Sequence, residues 1–140
     1  MKQEVLLDTE AIVALVNRRE QFHQWVTNQF KQIEPPLLTC EAVITEACFL
    51  LQNVYGGEAA VISFLQKGII HPPFRLNEEV FAVEELMQRY QSVPMSLADA
   101  CLVRMAQLYP KSELLTFDSD FRIYRQNRNQ LIYVIMPEEM

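Results

Sequence analysis

The chain has 140 residues, of which 50% are hydrophobic and 21% charged, and it carries a net charge of −6 with a pI near 4.9. That length suits one domain of roughly 100–200 residues, long enough to bury a core without covalent staples, and the composition excludes a disordered segment. The acidic balance excludes a protein that coats nucleic acid by bulk positive charge, and a polybasic membrane anchor. Cys40, Cys48 and Cys101 form no CxxC pair, which argues against a zinc knuckle or a disulfide framework. Gly56, Gly57 and Gly68 are the only glycines, too few and too grouped for GxGxxG or a phosphate loop. Neither a signal peptide nor a long apolar span is present in the sequence. The expectation is a single domain over residues 1–140, reduced and cytoplasmic, without membrane association.

In chain order, Val5-Leu6-Leu7 is a short apolar run that stops at Asp8-Thr9 and reads as a buried strand. From Ala11 the apolar spacing turns helical through Ile12, Leu15 and Val16, and a second helix is predicted over 21–33 with Phe22, Trp25, Val26 and Phe30 on one face. Pro35-Pro36 ends it, Leu37-Leu38 is a second strand, and Thr39 is predicted to cap a helix over 40–54. Gly56-Gly57 breaks that helix, and another follows to about Lys67. Ile69-Ile70 with Phe74-Arg75-Leu76 reads as a strand interrupted by Pro72-Pro73. Helices over 78–90 and 96–108 come next, then strands at Leu114–Phe117 and Leu131–Ile135. Short apolar runs alternating with helices indicate an α/β domain with a mainly parallel sheet of about four or five strands.

The placement of the acids carries more than their number. Glu46 is the only charge between Glu41 and Glu58, with Ala42, Val43, Phe49 and Leu50 at helical spacing around it, where an ionised carboxylate is costly unless something meets it. Asp99 is the only charge between Arg89 and Arg104. Asp8 and Asp118 each follow an apolar strand, and ligand crevices in open α/β sheets lie outside the carboxyl ends of strands. Each acid also has a plain structural reading: Asp8 as a helix N-cap, Ser96-x-x-Asp99 as a capping box, Asp118 as the cap of the turn at Ser119-Asp120-Phe121, Glu46 reaching to the surface or pairing with an arginine. The occurrence of all four together favours a site. Convergent carboxylates repel and need a cation, and oxygen ligands without His or Cys select Mg²⁺ or Mn²⁺ over zinc. Such an ion can activate water for attack on a phosphodiester, so nuclease chemistry is expected.

Leu6-Leu7-Asp8-Thr9, Ile44-Thr45-Glu46-Ala47, Ser96-Leu97-Ala98-Asp99-Ala100 and Thr116-Phe117-Asp118-Ser119-Asp120-Phe121 together resemble the PIN domain, in that order and over about the whole chain. The nearest group in likeness is the VapC-type toxins of toxin–antitoxin pairs. The resemblance implies a three-layer α/β/α sandwich and a metal-dependent endoribonuclease acting on RNA. It implies that Asp8, Glu46, Asp99 and Asp118 form the acidic Mg²⁺ or Mn²⁺ site, with Asp120 a possible fifth acid and Thr9 and Thr116 orienting the others, beside Ser96. It also implies a cognate antitoxin and a homodimer, for which Phe22, Trp25, Phe30 and the helix from Val80 to Tyr90 offer apolar surface.

RNA requires positive charge near the acids. Arg122, Arg125 and Arg128 recur every three residues after Asp120, and Arg18 and Arg19 follow the first helix; these are candidates for phosphate contact, against the plain reading of a solvated face. A receiver-type phosphoacceptor module would want a Lys after a late strand, and Lys2, Lys31, Lys67 and Lys111 are not so placed. A phosphatase of the haloacid type would want Asp-x-Asp where Asp8-Thr9-Glu10 stands. A catalytically silent PIN-like binding module is the remaining alternative.

Overall fold

The computed structural model describes residues 1–138. Five short strands, β1 (Val5–Leu7), β2 (Leu37–Leu38), β3 (Ile70–His71), β4 (Glu113–Leu115) and β5 (Tyr133–Ile135), form one sheet in the order β3-β2-β1-β4-β5. Every pairing is parallel. Parallel neighbours cannot be joined by a tight turn, so the chain crosses over through helices: α1 (Thr9–Val16), α2 (His23–Phe30), α3 (Glu41–Leu50), α4 (Gly57–Gln66), α5 (Leu76–Arg89) and α6 (Leu97–Leu108). The result is a three-layer α/β/α sandwich. Covered on both faces, β1 has no solvent side, which is why Val5, Leu6 and Leu7 are all fully buried and all apolar rather than alternating.

The strand order places the site. From β1 the chain moves to β2 on one side, and from β4 to β5 on the other. The switch point lies between β1 and β4, where a crevice opens at the strands' carboxyl ends. The register Leu7↔Leu115 sets those ends level, and the Asp8 N–H continues the ladder by donating to the Leu115 carbonyl at 3.1 Å. Behind the crevice, α6 is deeply set, with Ala98, Ala100, Cys101, Leu102, Val103, Met105 and Ala106 buried. The rings of Phe22, just before α2, and Trp25 pack on Phe117 at 5.2 and 5.9 Å between centroids, but both stay half-buried with Phe30, and only Val26 of that predicted face enters the core. All three cysteines are free thiols, with Cys40 and Cys101 buried.

Several expectations are corrected. Thr39 is not the cap of α3: the N-cap is Cys40, without a side-chain bond. The buried Thr39 hydroxyl instead donates to the Leu7 carbonyl at 2.7 Å, tying β2 to the end of β1. Phe74-Arg75-Leu76 is no strand; Leu76 opens α5, and only Ile70–His71 pairs. The helix predicted over 40–54 stops at Leu50, and the corner that follows requires its glycine: a Cβ at Gly57 would meet the Leu51 carbonyl oxygen at 2.8 Å. Strand β4 ends at Leu115 rather than Phe117, and β5 starts at Tyr133 rather than Leu131.

A candidate carboxylate site at the switch point

Asp8 ends β1 and caps α1. Its Oδ1 accepts from the Thr9 N–H at 2.7 Å and its Oδ2 from the Thr116 hydroxyl at 2.6 Å. The side chain is buried, and burial pushes its pKa up to about 6, helped by the nearby charges of Asp99 and Asp118 and opposed by the two hydrogen bonds. The Thr116 oxygen in turn accepts from the Asp118 N–H at 3.0 Å. One buried hydroxyl therefore positions acids from both central strands.

Asp118 accepts from the Asp120 N–H through Oδ1 at 2.9 Å, forming the first turn of a short 3₁₀ segment, Ser119–Arg122. Asp99 sits in a complete capping box: its N–H donates to Ser96 Oγ at 3.0 Å and its Oδ2 accepts from the Ser96 N–H at 3.1 Å. Its pKa is raised by partial burial, then by Asp118 and Glu46, against the lowering effect of the Ser96 bonds. Glu46 Oε2 accepts from the Thr9 hydroxyl at 3.3 Å. The capping readings are thus realised at Asp8, Asp99 and Asp118. These bonds leave Oδ1 of Asp99, Oδ2 of Asp118 and Oε1 of Glu46 outside the hydrogen bonds of the described residues.

Glu46 corrects the desolvation argument made for it. It is exposed, as are Phe49 and Leu50, while Val43 and Ala47 take the buried side of α3. Its apolar neighbours mark an open apolar surface, not a buried charge. Glu10 was passed over in the sequence. Its pKa is raised by partial burial and by the charges of Glu20 and Glu46, so it belongs to the same acidic surroundings; its place two residues after Asp8 was the available signal. Among the described residues, no three Asp, Glu, His or Cys side chains stand close enough to form a ready-made ion cage.

The sequence profile of the PIN domain matches residues 5–126. The chain belongs to the PIN domain family. Among solved structures, this PIN chain is similar to the VapC20 toxin of Mycobacterium tuberculosis, a toxin that cleaves the sarcin–ricin loop, with 18% identity and a TM-score of 0.74 over 83% of this chain and 91% of that one. It is also similar to VapBC2 from Rickettsia felis, bound to a DNA fragment from its promoter, with 12% identity and a TM-score of 0.61 over 94% of this chain and 98% of that one. No curated protein sequence matches it.

The candidate arginines of this PIN chain divide. Arg122 is exposed at the end of the 3₁₀ segment that begins at Ser119. Arg125 turns back on the backbone: its Nη1 donates to the carbonyls of Arg122 and Ile123 at 2.7 and 2.8 Å, and to that of Tyr124 at 3.3 Å. Arg18 lies beyond the far end of α1, lining an open cavity away from the acids.

Proposed function

We propose that this PIN-domain protein is a metal-dependent endoribonuclease, and that Asp8, Glu46, Asp99 and Asp118 are its acidic site. The observation that carries the reading is the junction at the switch point: the Thr116 hydroxyl ties Asp8 at the end of β1 to the backbone of Asp118 after β4, and the charges of Asp99 and Asp118 both bear on the buried Asp8 carboxyl. Such a place favours a cation, and its donors are all carboxylate oxygens, which suit Mg²⁺ or Mn²⁺. The ion would be held by Asp8, Asp99, Asp118 and Glu46. When bound, it would offset charge on the phosphoryl oxygens and make water a better nucleophile.

The chain's own groups do the positioning. Thr116 holds Asp8 and the backbone of Asp118, Ser96 holds Asp99, and Thr9 holds Glu46. These bonds restrict the rotation of the acids before any substrate arrives. A carboxylate there can take the proton of the attacking water. Asp120, half-buried beside Asp118, is a fifth acid at the rim, and Arg122 supplies a phosphate contact. Arg125 supports the backbone that presents Arg122.

The likeness to VapC20 and VapBC2 supports a toxin role with an antitoxin partner. A homodimer belongs to the same reading, with the exposed Phe49, Leu50, Val80 and Phe81 as apolar surface; light scattering on the purified chain tests it. The deciding experiment is cleavage of RNA with Mg²⁺ or Mn²⁺ by the wild type, Asp8→Asn and Asp99→Asn. Loss of cleavage in both folded variants supports the site. Equal cleavage by all three rejects it.

A further inference from the structure

A cavity of about 710 Å³ lies between the end of α1 and the α3–α4 corner, lined by Asn17, Arg18, Arg19, Asn53, Tyr55 and Gly56 among others. Three of its features bear on what it could hold. Arg18 and Arg19 are exposed neighbours, and neither forms an ion pair among the described residues. Tyr55 is fully exposed, with no aromatic partner there. The corner that presents Tyr55 is held rather than loose: Val54 N–H donates to the Leu51 carbonyl at 3.0 Å and Gly57 N–H to the Val54 carbonyl at 2.8 Å. Gly56, at φ +70°, has no atom within 4 Å of where a Cβ would sit, so the cavity is open at that wall.

Paired guanidinium groups suit phosphate oxygens, which they bind in a planar fork. An exposed ring held on a firm backbone suits stacking by an unpaired base. We infer that this cavity is a second RNA subsite, seating a nucleotide away from the scissile bond with its phosphate on Arg18 and Arg19 and its base on Tyr55. The inference rests on the ribonuclease reading for its substrate. Both walls lead from the acids: α1 starts at Asp8–Thr9 and ends at Val16 beside the cavity, and α3 carries Glu46 before the corner. The rise along eight helical residues makes that separation about 12 Å, so a strand of several nucleotides is needed to fill both. Glu10 and Glu20 stand near this path, and their repulsion of a phosphate chain is what the two arginines would offset.

The test uses fluorescence anisotropy in EDTA with a labelled single-stranded RNA of twelve nucleotides and with a dinucleotide, followed by cleavage of both with Mn²⁺. The proteins are the wild-type 140-residue chain, Arg18→Ala/Arg19→Ala, Tyr55→Ala and Tyr55→Phe. The expected result is a loss of affinity for the longer RNA of about tenfold in Tyr55→Ala, with Tyr55→Phe close to wild type. The double arginine variant should also flatten the dependence of log affinity on log salt by about 0.7, the value for one phosphate contact on a single strand. Losses should be larger for the longer RNA than for the dinucleotide, and should fall on KM more than on kcat. Cleavage with unchanged affinity and KM in every variant overturns the subsite and leaves the ribonuclease reading standing. Variant-sensitive binding without any cleavage overturns the ribonuclease reading and supports the subsite. A poly-glutamate peptide that binds through the arginines, with RNA binding indifferent to Tyr55, overturns the subsite in favour of an acidic protein partner.

Discussion

The Thr116 hydroxyl donates to Asp8 Oδ2 at 2.6 Å, across 108 positions of sequence, and its oxygen accepts from the Asp118 N–H at 3.0 Å. This single group joins the carboxyl ends of β1 and β4 and fixes two acids in relation to each other. Thr116→Val removes both bonds and leaves a buried carboxylate short of a donor. Unfolding in urea should show a loss of about 1–3 kcal/mol, and the pKa of Asp8 should rise further, because the bond lowers it. Thr116→Ser should restore most of both. A valine variant as stable as wild type would mean that the bond does not bear on the fold.

Asp8 makes stability depend on pH with a definite sign. Its folded-state value of about 6 lies above the ordinary 3.8, so the folded chain holds the proton more tightly. In EDTA, this group's contribution to stability is present below about pH 4 and is lost as pH rises to about 6. Asp8→Asn cannot ionise and escapes that loss. It should be more stable than wild type by roughly 1–3 kcal/mol at pH 7, with the gap closing towards pH 4. Melting curves across pH check this, and a gap that widens on acidification contradicts it.

Glu46 separates function from stability. It is exposed and, among the described residues, makes one long hydrogen bond, 3.3 Å from the Thr9 hydroxyl. Glu46→Gln should leave the unfolding free energy within about 0.5 kcal/mol of wild type. RNA cleavage should nevertheless fall by about 10²-fold or more if the carboxylate belongs to the site. Undiminished cleavage removes Glu46 from it.

Ser96 has a structural and a positioning duty. Ser96→Ala breaks the capping box and should cost about 1 kcal/mol. It unties the Asp99 N–H from Ser96 Oγ but leaves the Ser96 N–H donating to Asp99 Oδ2, so cleavage by the fully folded variant should fall only a few-fold. Ser96→Thr, which can still cap, should recover both.

A divalent cation that meets the acids should raise the melting temperature by mass action. At 100 times its dissociation constant, the gain is about 2.7 kcal/mol. Mn²⁺ and Mg²⁺ should both produce it, Ca²⁺-free chelation should reverse it, and Asp118→Asn should reduce it. An equal shift in Asp118→Asn would place the ion elsewhere.

Much of this protein was legible before any coordinates. Apolar runs at β1, β2 and β4, broken by helical spacing and glycine or proline, state their own type, because strand and helix periods are local properties of the chain. The capping box at Ser96 and Asp99 and the cap at Asp8 are local as well, formed by residues within three positions of each other. Element ends were less legible: Thr39 has the composition of a cap, but its hydroxyl is taken by the Leu7 carbonyl, a partner 32 residues away. Glu46 shows the same limit. Its apolar neighbours indicate a helix that is apolar on more than one side, and only the packing of α3 decides that Val43 and Ala47 turn inward while Glu46, Phe49 and Leu50 face out.

The four acids, their order and their chemistry were written in the chain itself, as was the alternation that makes a parallel sheet. What tertiary structure alone decided is which of them meet. Strand order β3-β2-β1-β4-β5 makes β1 and β4 neighbours although 105 positions separate Leu7 from Glu113, and no local period encodes that pairing. Burial, which raises Asp8, and the reach of the Thr116 hydroxyl, which restrains it, both follow from that adjacency. Desolvation and hydrogen bonding act through distance in space, and the sequence specifies distance only along the chain.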